Sequence, residues 1–233
     1  MTIAGELKNQ VTNMRSADIA FYRIAKQAVI ELGFTPEIGW QQEQIFENFT
    51  ETDLLRESAW VVLCSGFRES VVRQNFNFIS LCFCDWQSAG LICEYEAQCR
   101  TTALARFKSA RKIDAIAQIA KIVNLHGFAG FKQEILEQPI EALQNLPFIG
   151  PITAFHLAKN LGFATAKPDR HLQRMAHALG YANGHHLCGS LSDATGDPIQ
   201  VVDVVLWRYA EQFSGAISPI SSDHIAPAGK ATD

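Results

Sequence analysis

The residue types and spacings with the most chemical content lie between Pro139 and Gly180. Pro139 suits the first turn of a short helix ending near Leu146, and Pro147-Phe148-Ile149-Gly150 reads as a tight hairpin. Pro151 occupies the first position of a second helix running to about Asn160, with Gly162 at its end. A short helix, a glycine-containing turn and a second helix gather several backbone N–H groups and the positive end of a helix dipole in one patch, which holds a phosphate well. Downstream, Pro168-Asp169-Arg170-His171 sets a carboxylate at the start of a helix His171–Leu179, a position suited to N-capping. His185-His186-x-Cys188 resembles half of a metal site with no second half. The set Cys82, Cys84, Cys93 and Cys99 lacks the paired spacing of zinc ligands.

Helices must carry these groups. Apolar residues recur at helical spacing and strict alternation is absent, so an all-α fold is expected. A first helix is predicted over Ser16–Gly33, and Thr50-Glu51-Thr52-Asp53 reads as the capped start of a helix Leu54–Ser65. Further helices are predicted over Val71–Cys84, Ser88–Cys99, Arg111–Leu125 and Phe131–Gln138, and the text from about Ser214 reads as a loosely held tail.

At 233 residues the chain is one large domain or two small ones, and 48% apolar with 19% charged residues is the balance of a globular protein. The longest apolar runs, around Ala59–Cys64 and Val201–Trp207, fall far short of the roughly 18 residues that cross a bilayer, so no membrane contact is expected. The start, MTIAGELKNQ, lacks a secretory pattern, so a cytoplasmic location and free thiols at all six cysteines are expected. The net charge of −4 hides an asymmetry: Arg100 to Gly180 holds eleven Lys/Arg against five Asp/Glu. A basic block in an acidic chain suggests one face for a polyanion.

Leu146-Pro147-x-Ile149-Gly150, Thr153-Ala154 and Pro168-Asp169-Arg170-His171 followed by Arg174 together resemble the helix-hairpin-helix superfamily of DNA base-excision glycosylases. The resemblance extends more loosely over Leu55–Val71, Phe107–Val123 and Val201–Tyr209. It implies an all-α, two-lobed fold with the active-site cleft between the lobes. One lobe of six helices would span 50–164 and include the hairpin at 139–160; the other would combine 1–49 with 165–213 and carry the aspartate loop, leaving 214–233 as a flexible tail. Asp169 would be the catalytic carboxylate, stabilising positive charge on the sugar and orienting or deprotonating the attacking water. Pro147, Phe148, Ile149, Gly150, Ile152 and Thr153 would form the DNA-binding hairpin.

A base-excision enzyme turns its target out of the stack and fills the gap. The resemblance assigns this plug to Ser65-Gly66-Phe67-Arg68, with Phe67, Arg68 and Trp60 as plug and pocket candidates and Trp40 and Trp86 as further pocket walls. Lys108, Arg111, Lys167, Arg170 and Arg174 are candidate phosphate contacts, with Arg106 and Lys112 in the same basic cluster as Lys108 and Arg111.

Departures from the family pattern narrow the reaction. The lysine that lets some members cut the strand is replaced by Ile152, and neither Lys159 nor Lys167 replaces it by alignment, which implies a monofunctional enzyme without lyase activity. Only Cys188 follows Asp169 among cysteines, so the four-cysteine iron–sulfur site of some members cannot form. No cofactor or metal is implied, and whether the hairpin holds a structural monovalent cation stays open. Phe148 stands where the hairpin usually has its first glycine. Val62 stands where adenine-excising members carry a glutamate, which favours a base that leaves easily, such as a cationic alkylpurine, with contributions from Glu57 or Glu69 open. The implied partner is duplex DNA containing a modified base, bound by a monomer. That base is either an alkylated or oxidised one in repair, or a bulky hypermodified base of phage DNA in defence. The alternative is a non-catalytic helix-hairpin-helix DNA-binding module, which has no need of Asp169.

Overall fold

The computed structural model describes the backbone of residues 3–213 and the side chains of 16–213. The expected tail at 214–233 lies outside the described residues. The described residues are all-α, without a strand. The helices are α1 (Ile3–Glu31), α2 (Thr35–Glu43), α3 (Glu51–Cys64), α4 (Glu69–Cys82), α5 (Ala89–Glu94), α6 (Glu96–Arg106) and α7 (Ala110–His126). They continue with α8 (Phe128–Glu137), α9 (Pro139–Gln144), α10 (Pro151–Asn160), α11 (Arg170–Ala178), α12 (Gly184–Thr195) and α13 (Ile199–Gln212).

Local chemistry accounts for several boundaries. Thr50 and Asp53 form a reciprocal capping box at the start of α3, Asp53 N–H donating to Thr50 Oγ1 at 3.2 Å and Thr50 N–H to Asp53 Oδ2 at 2.8 Å. The first helix starts at Ile3, well before the expected Ser16. The helix expected over Ser88–Cys99 is two: Ser88 caps α5 through its Oγ, and Tyr95 ends α5 and begins α6 with φ −105° and ψ 21°. The helix expected to reach Cys84 stops at Cys82, where Cys84, Asp85 and Trp86 form one left-handed turn with φ of 55°, 50° and 62°. Left-handed backbone costs about 1–2 kcal/mol per residue. Burial of Trp86 offsets it: the indole stacks on Phe83 with centroids 5.4 Å apart and donates its N–H to Ser80 Oγ at 2.8 Å. Trp86 is therefore a core side chain and not the pocket wall expected of it.

Buried apolar residues fall into two clusters. The first runs from Phe49 to Leu161 and is built by α3 to α10, with Leu54, Leu63, Ile79, Ile113, Ile119 and Leu157 at its centre. The second joins α1 and α2 to α11, α12 and α13 through Tyr22, Val29, Met175, Leu191, Val201 and Val205. The chain crosses between them just after α10 at Gly162, whose φ of +95° ends the helix. A Cβ there would stand 2.7 Å from the Phe46 backbone nitrogen, so glycine is required sterically as well.

Candidate functional site

A cleft of about 620 Å³ opens along the boundary of the two clusters. Helical spacing explains its lining. On α3, Glu57, Trp60 and Cys64 repeat every three or four residues and face the cleft, while Leu54, Val61 and Val62 face the core. On α10 the cleft-facing set is His156, Lys159 and Asn160, and on α13 it is Asp203, Val204, Trp207 and Glu211. Trp40 of α2 and Phe76 of α4 add aromatic surface, with the Trp60 and Phe76 rings edge to face at 5.1 Å.

The floor is polar and buried. Asn160 Nδ2 donates to Glu57 Oε2 at 2.9 Å, and Arg56 Nε lies 4.0 Å from the other carboxylate oxygen. Burial dominates these partners and pushes the Glu57 carboxyl up to about 7. Glu57 can therefore hold or release a proton near neutrality. Glu69, also on the cleft, behaves oppositely: burial works against its ionisation, but Arg208 and Arg73 outweigh burial and hold the carboxyl below its ordinary value. Of the two carboxylates left open by the sequence, Glu57 is the one able to act as an acid.

Two ion-pair groups tie the clusters together beside the cleft. Lys159 of α10 meets Asp203 of α13 at 2.5 Å with both side chains buried, and Asp203 Oδ2 accepts the Lys167 backbone N–H at 2.7 Å. Arg208, 4% exposed, donates to Glu37 of α2, Glu69 of α4 and Glu211 of its own helix. Burial, and then Lys167 and Lys159, hold the His156 imidazole well below its ordinary value.

The hairpin does not line the cleft. Phe148 takes the left-handed conformation with φ 65°, so the position where a glycine was expected keeps a glycine-like backbone while bearing an aromatic ring. Gly150 N–H donates to Thr153 Oγ1 at 2.7 Å, and the first α10 ladder bond is Ala154 N–H to Gly150 O at 2.9 Å. This pattern leaves the N–H groups of Ile152 and Thr153 without an intrahelical carbonyl. Ile149 departs from its expected role: its side chain is 4% exposed and anchors the turn in the first core, so only its backbone is available at the surface.

Lys112 is likewise not a surface cation. Its Nζ is buried and donates to the carbonyls of Val62, Leu63 and Ser65, closing the C-terminal end of α3. It also lies 5.3 Å from the Phe67 ring centroid and 5.7 Å from that of Phe148, which brings the expected plug loop and the hairpin side by side. Phe67 and Arg68 are exposed and line the cleft, as does Trp60 at lower exposure. Arg111 lies over the Phe148 ring at 5.6 Å; Lys108, Arg170 and Arg174 are exposed and away from the cleft lining. Lys167, a candidate phosphate contact, forms part of the cleft wall.

Asp169 caps α11. Its Oδ1 accepts from His171 N–H at 2.9 Å and Leu172 N–H at 3.0 Å, leaving Oδ2 outside the cap. The side chain is half-buried and adjoins the cleft through Lys167, although it does not itself line the cavity. His185 turns its Nδ1 toward Ala166 N–H at 3.4 Å, Cys188 is buried, and the described residues contain no group of three or more His, Cys, Asp or Glu side chains able to hold a metal ion.

Glu57, Asn160, Lys159, Asp203, Trp207 and Arg208 were not singled out as site residues by sequence reasoning, which left only Glu57 open. The available signal was a polar residue inside an apolar helical run, clearest for Asp203 within Val201-Val202-Asp203-Val204-Val205. No family model, curated protein or solved structure matches the chain.

Proposed function

We propose that the chain is a DNA glycosylase that binds duplex DNA, receives a turned-out modified base in the cleft and hydrolyses its N-glycosidic bond to leave an abasic site. The observation that carries this reading is Glu57, a buried carboxyl able to hold a proton near neutrality, set at the floor of an aromatic-walled cleft bordered by the Asp169 loop. Breaking the bond requires charge to be managed at both ends. Glu57 protonates the departing base, while Asp169 Oδ2 stabilises positive charge on the sugar and receives a proton from the attacking water. Trp40, Trp60 and Trp207 stack on the base, and Asn160 orients Glu57.

The two hydrophobic clusters correspond to two lobes, with duplex DNA lying across the boundary between them. The free N–H groups of Ile152 and Thr153 hold a phosphate, Phe67 and Arg68 fill the vacated stack, and Lys108, Arg111, Arg170 and Arg174 contact the backbone. An acid at the floor removes the need for a base that is already cationic. The volume, within the roughly 300–1,000 Å³ typical of ligand clefts, admits a base carrying a bulky substituent, which favours the hypermodified-base reading over a small alkylated one. The enzyme acts as a monomer on DNA in the cytoplasm and needs no cofactor for this hydrolysis.

The test is release of free base, measured by chromatography, from duplexes carrying alkylated or oxidised bases and from phage DNA with natural hypermodified bases. Asp169→Asn is expected to lower release by about two to four orders of magnitude while DNA binding persists. Binding without release from any substrate would assign the chain to the non-catalytic module instead.

A further inference from the structure

Among the described residues, four other than glycine have left-handed backbone: Cys84, Asp85, Trp86 and Phe148. The first three share one turn, whose strain the buried Trp86 indole offsets. Phe148 has no such compensation, because its side chain is 40% exposed. Backbone strain held without burial points to work done outside the fold. The turn is nonetheless fixed: Leu146 and Ile149 are buried on either side of it, and Ile149 N–H donates to Leu146 O at 3.1 Å. The hairpin therefore displays the Phe148 ring from a rigid support.

A second ring is displayed beside it. Phe67, 43% exposed, packs on the buried Phe107 ring with centroids 5.3 Å apart. The Lys112 ammonium lies 5.3 Å from the Phe67 centroid and 5.7 Å from that of Phe148, so the carbonyls of Leu63 and Ser65 that hold Lys112 also hold the two rings relative to each other. Free cations surround the pair: Arg111 over Phe148 at 5.6 Å, with Arg68 and Lys108 exposed. Such cations attract a phosphate backbone. The rings need something else, because the base faces of a fully paired duplex are covered by their neighbours. An aromatic ring stacks on a base only where the strand has opened, and it does so with little regard to sequence, since every base has a π-face.

We propose that Phe148 and Phe67 form a stacking platform for unpaired bases of DNA, with Arg68, Lys108 and Arg111 on the flanking phosphates, so that the chain binds an opened stretch of duplex more tightly than a fully paired one. The platform adds to the phosphate grip of the hairpin N–H groups, which a paired duplex already satisfies. It rests on the DNA-binding half of the proposed function and is independent of hydrolysis.

Anisotropy titration at one fixed salt concentration compares a paired, unmodified duplex with the same duplex carrying a short mismatched bubble. The full chain should bind the bubble about 5- to 150-fold more tightly, the range for one base stacked on an aromatic ring. Phe148→Gly keeps the left-handed backbone and the hairpin N–H groups but removes the ring, and should lower this preference at least about 5-fold. Iodouracil placed in the bubble and irradiated should crosslink to Phe148, located by mass spectrometry on the unsubstituted chain, so misfolding of the variant leaves the test intact. Equal affinity for the two duplexes, or crosslinks confined to Phe67 and the cleft tryptophans, overturns the platform and leaves base release to stand by itself. A bubble preference lost in Phe148→Gly, without base release from any substrate, supports the platform and overturns the hydrolysis instead. Failure to bind either duplex overturns both.

Discussion

Glu57→Gln separates the buried acid from every other titrating group. Glutamine keeps the shape of the side chain and an oxygen for Asn160 Nδ2, so packing and the 2.9 Å hydrogen bond are retained. Only the ionisation is lost. Below its ordinary value of 4.5, Glu57 is protonated in the folded and unfolded chains alike. Between there and about 7 the unfolded chain ionises while burial keeps the folded chain protonated, so stability falls as pH rises through this window. Above about 7 both forms are ionised and the full cost is in place. At about 1.4 kcal/mol per pH unit the cost is about 3 kcal/mol, or about 6–12 °C of Tm for a chain of this size. Thermal unfolding of both proteins from pH 4 to pH 8 measures it. Glu57→Gln should gain on the unsubstituted protein by that amount toward pH 8, and base release should lose its decline above about pH 7 in the variant. Parallel Tm curves would refute the reasoning, because they would mean that Glu57 ionises as freely in the fold as out of it.

Asp203→Ala leaves Lys159 buried without its partner and should cost about 3–5 kcal/mol in urea unfolding. Gly162→Ala should destabilise by more than about 2 kcal/mol, since its Cβ would meet Phe46 N at 2.7 Å on a backbone already at φ +95°; a neutral result would mean the crossing between the clusters yields readily. Phe148→Gly should relieve about 1 kcal/mol of left-handed strain and lose the ring beneath Arg111, leaving Tm within a few degrees of the parent. Arg111→Ala should weaken duplex binding evenly across sequences and lower the slope of log K against log salt by about 1, read by anisotropy titration.

Periodicity and punctuation by themselves determined much of this protein. The helical class, the capping box at Thr50, the bounds Pro151–Asn160 and the cap at Asp169 follow from interactions within a few residues, which a linear text records. Strong local stops were also legible, as at Gly162. What escaped were contacts that pair distant text. The left-handed turn at Cys84–Trp86 exists because a buried indole outweighs local strain, and nothing in the neighbouring letters signals that burial. Lys112 and Lys167 read alike as basic residues. Only the tertiary structure sends one to the carbonyls ending α3 and the other to the cleft wall. Glu57 looks like an ordinary helix-surface glutamate until α10 brings Asn160 against it and removes water. The charge of a side chain is written in the sequence; its desolvation, which decides whether it holds a proton, a partner or a substrate, depends on elements over a hundred residues away.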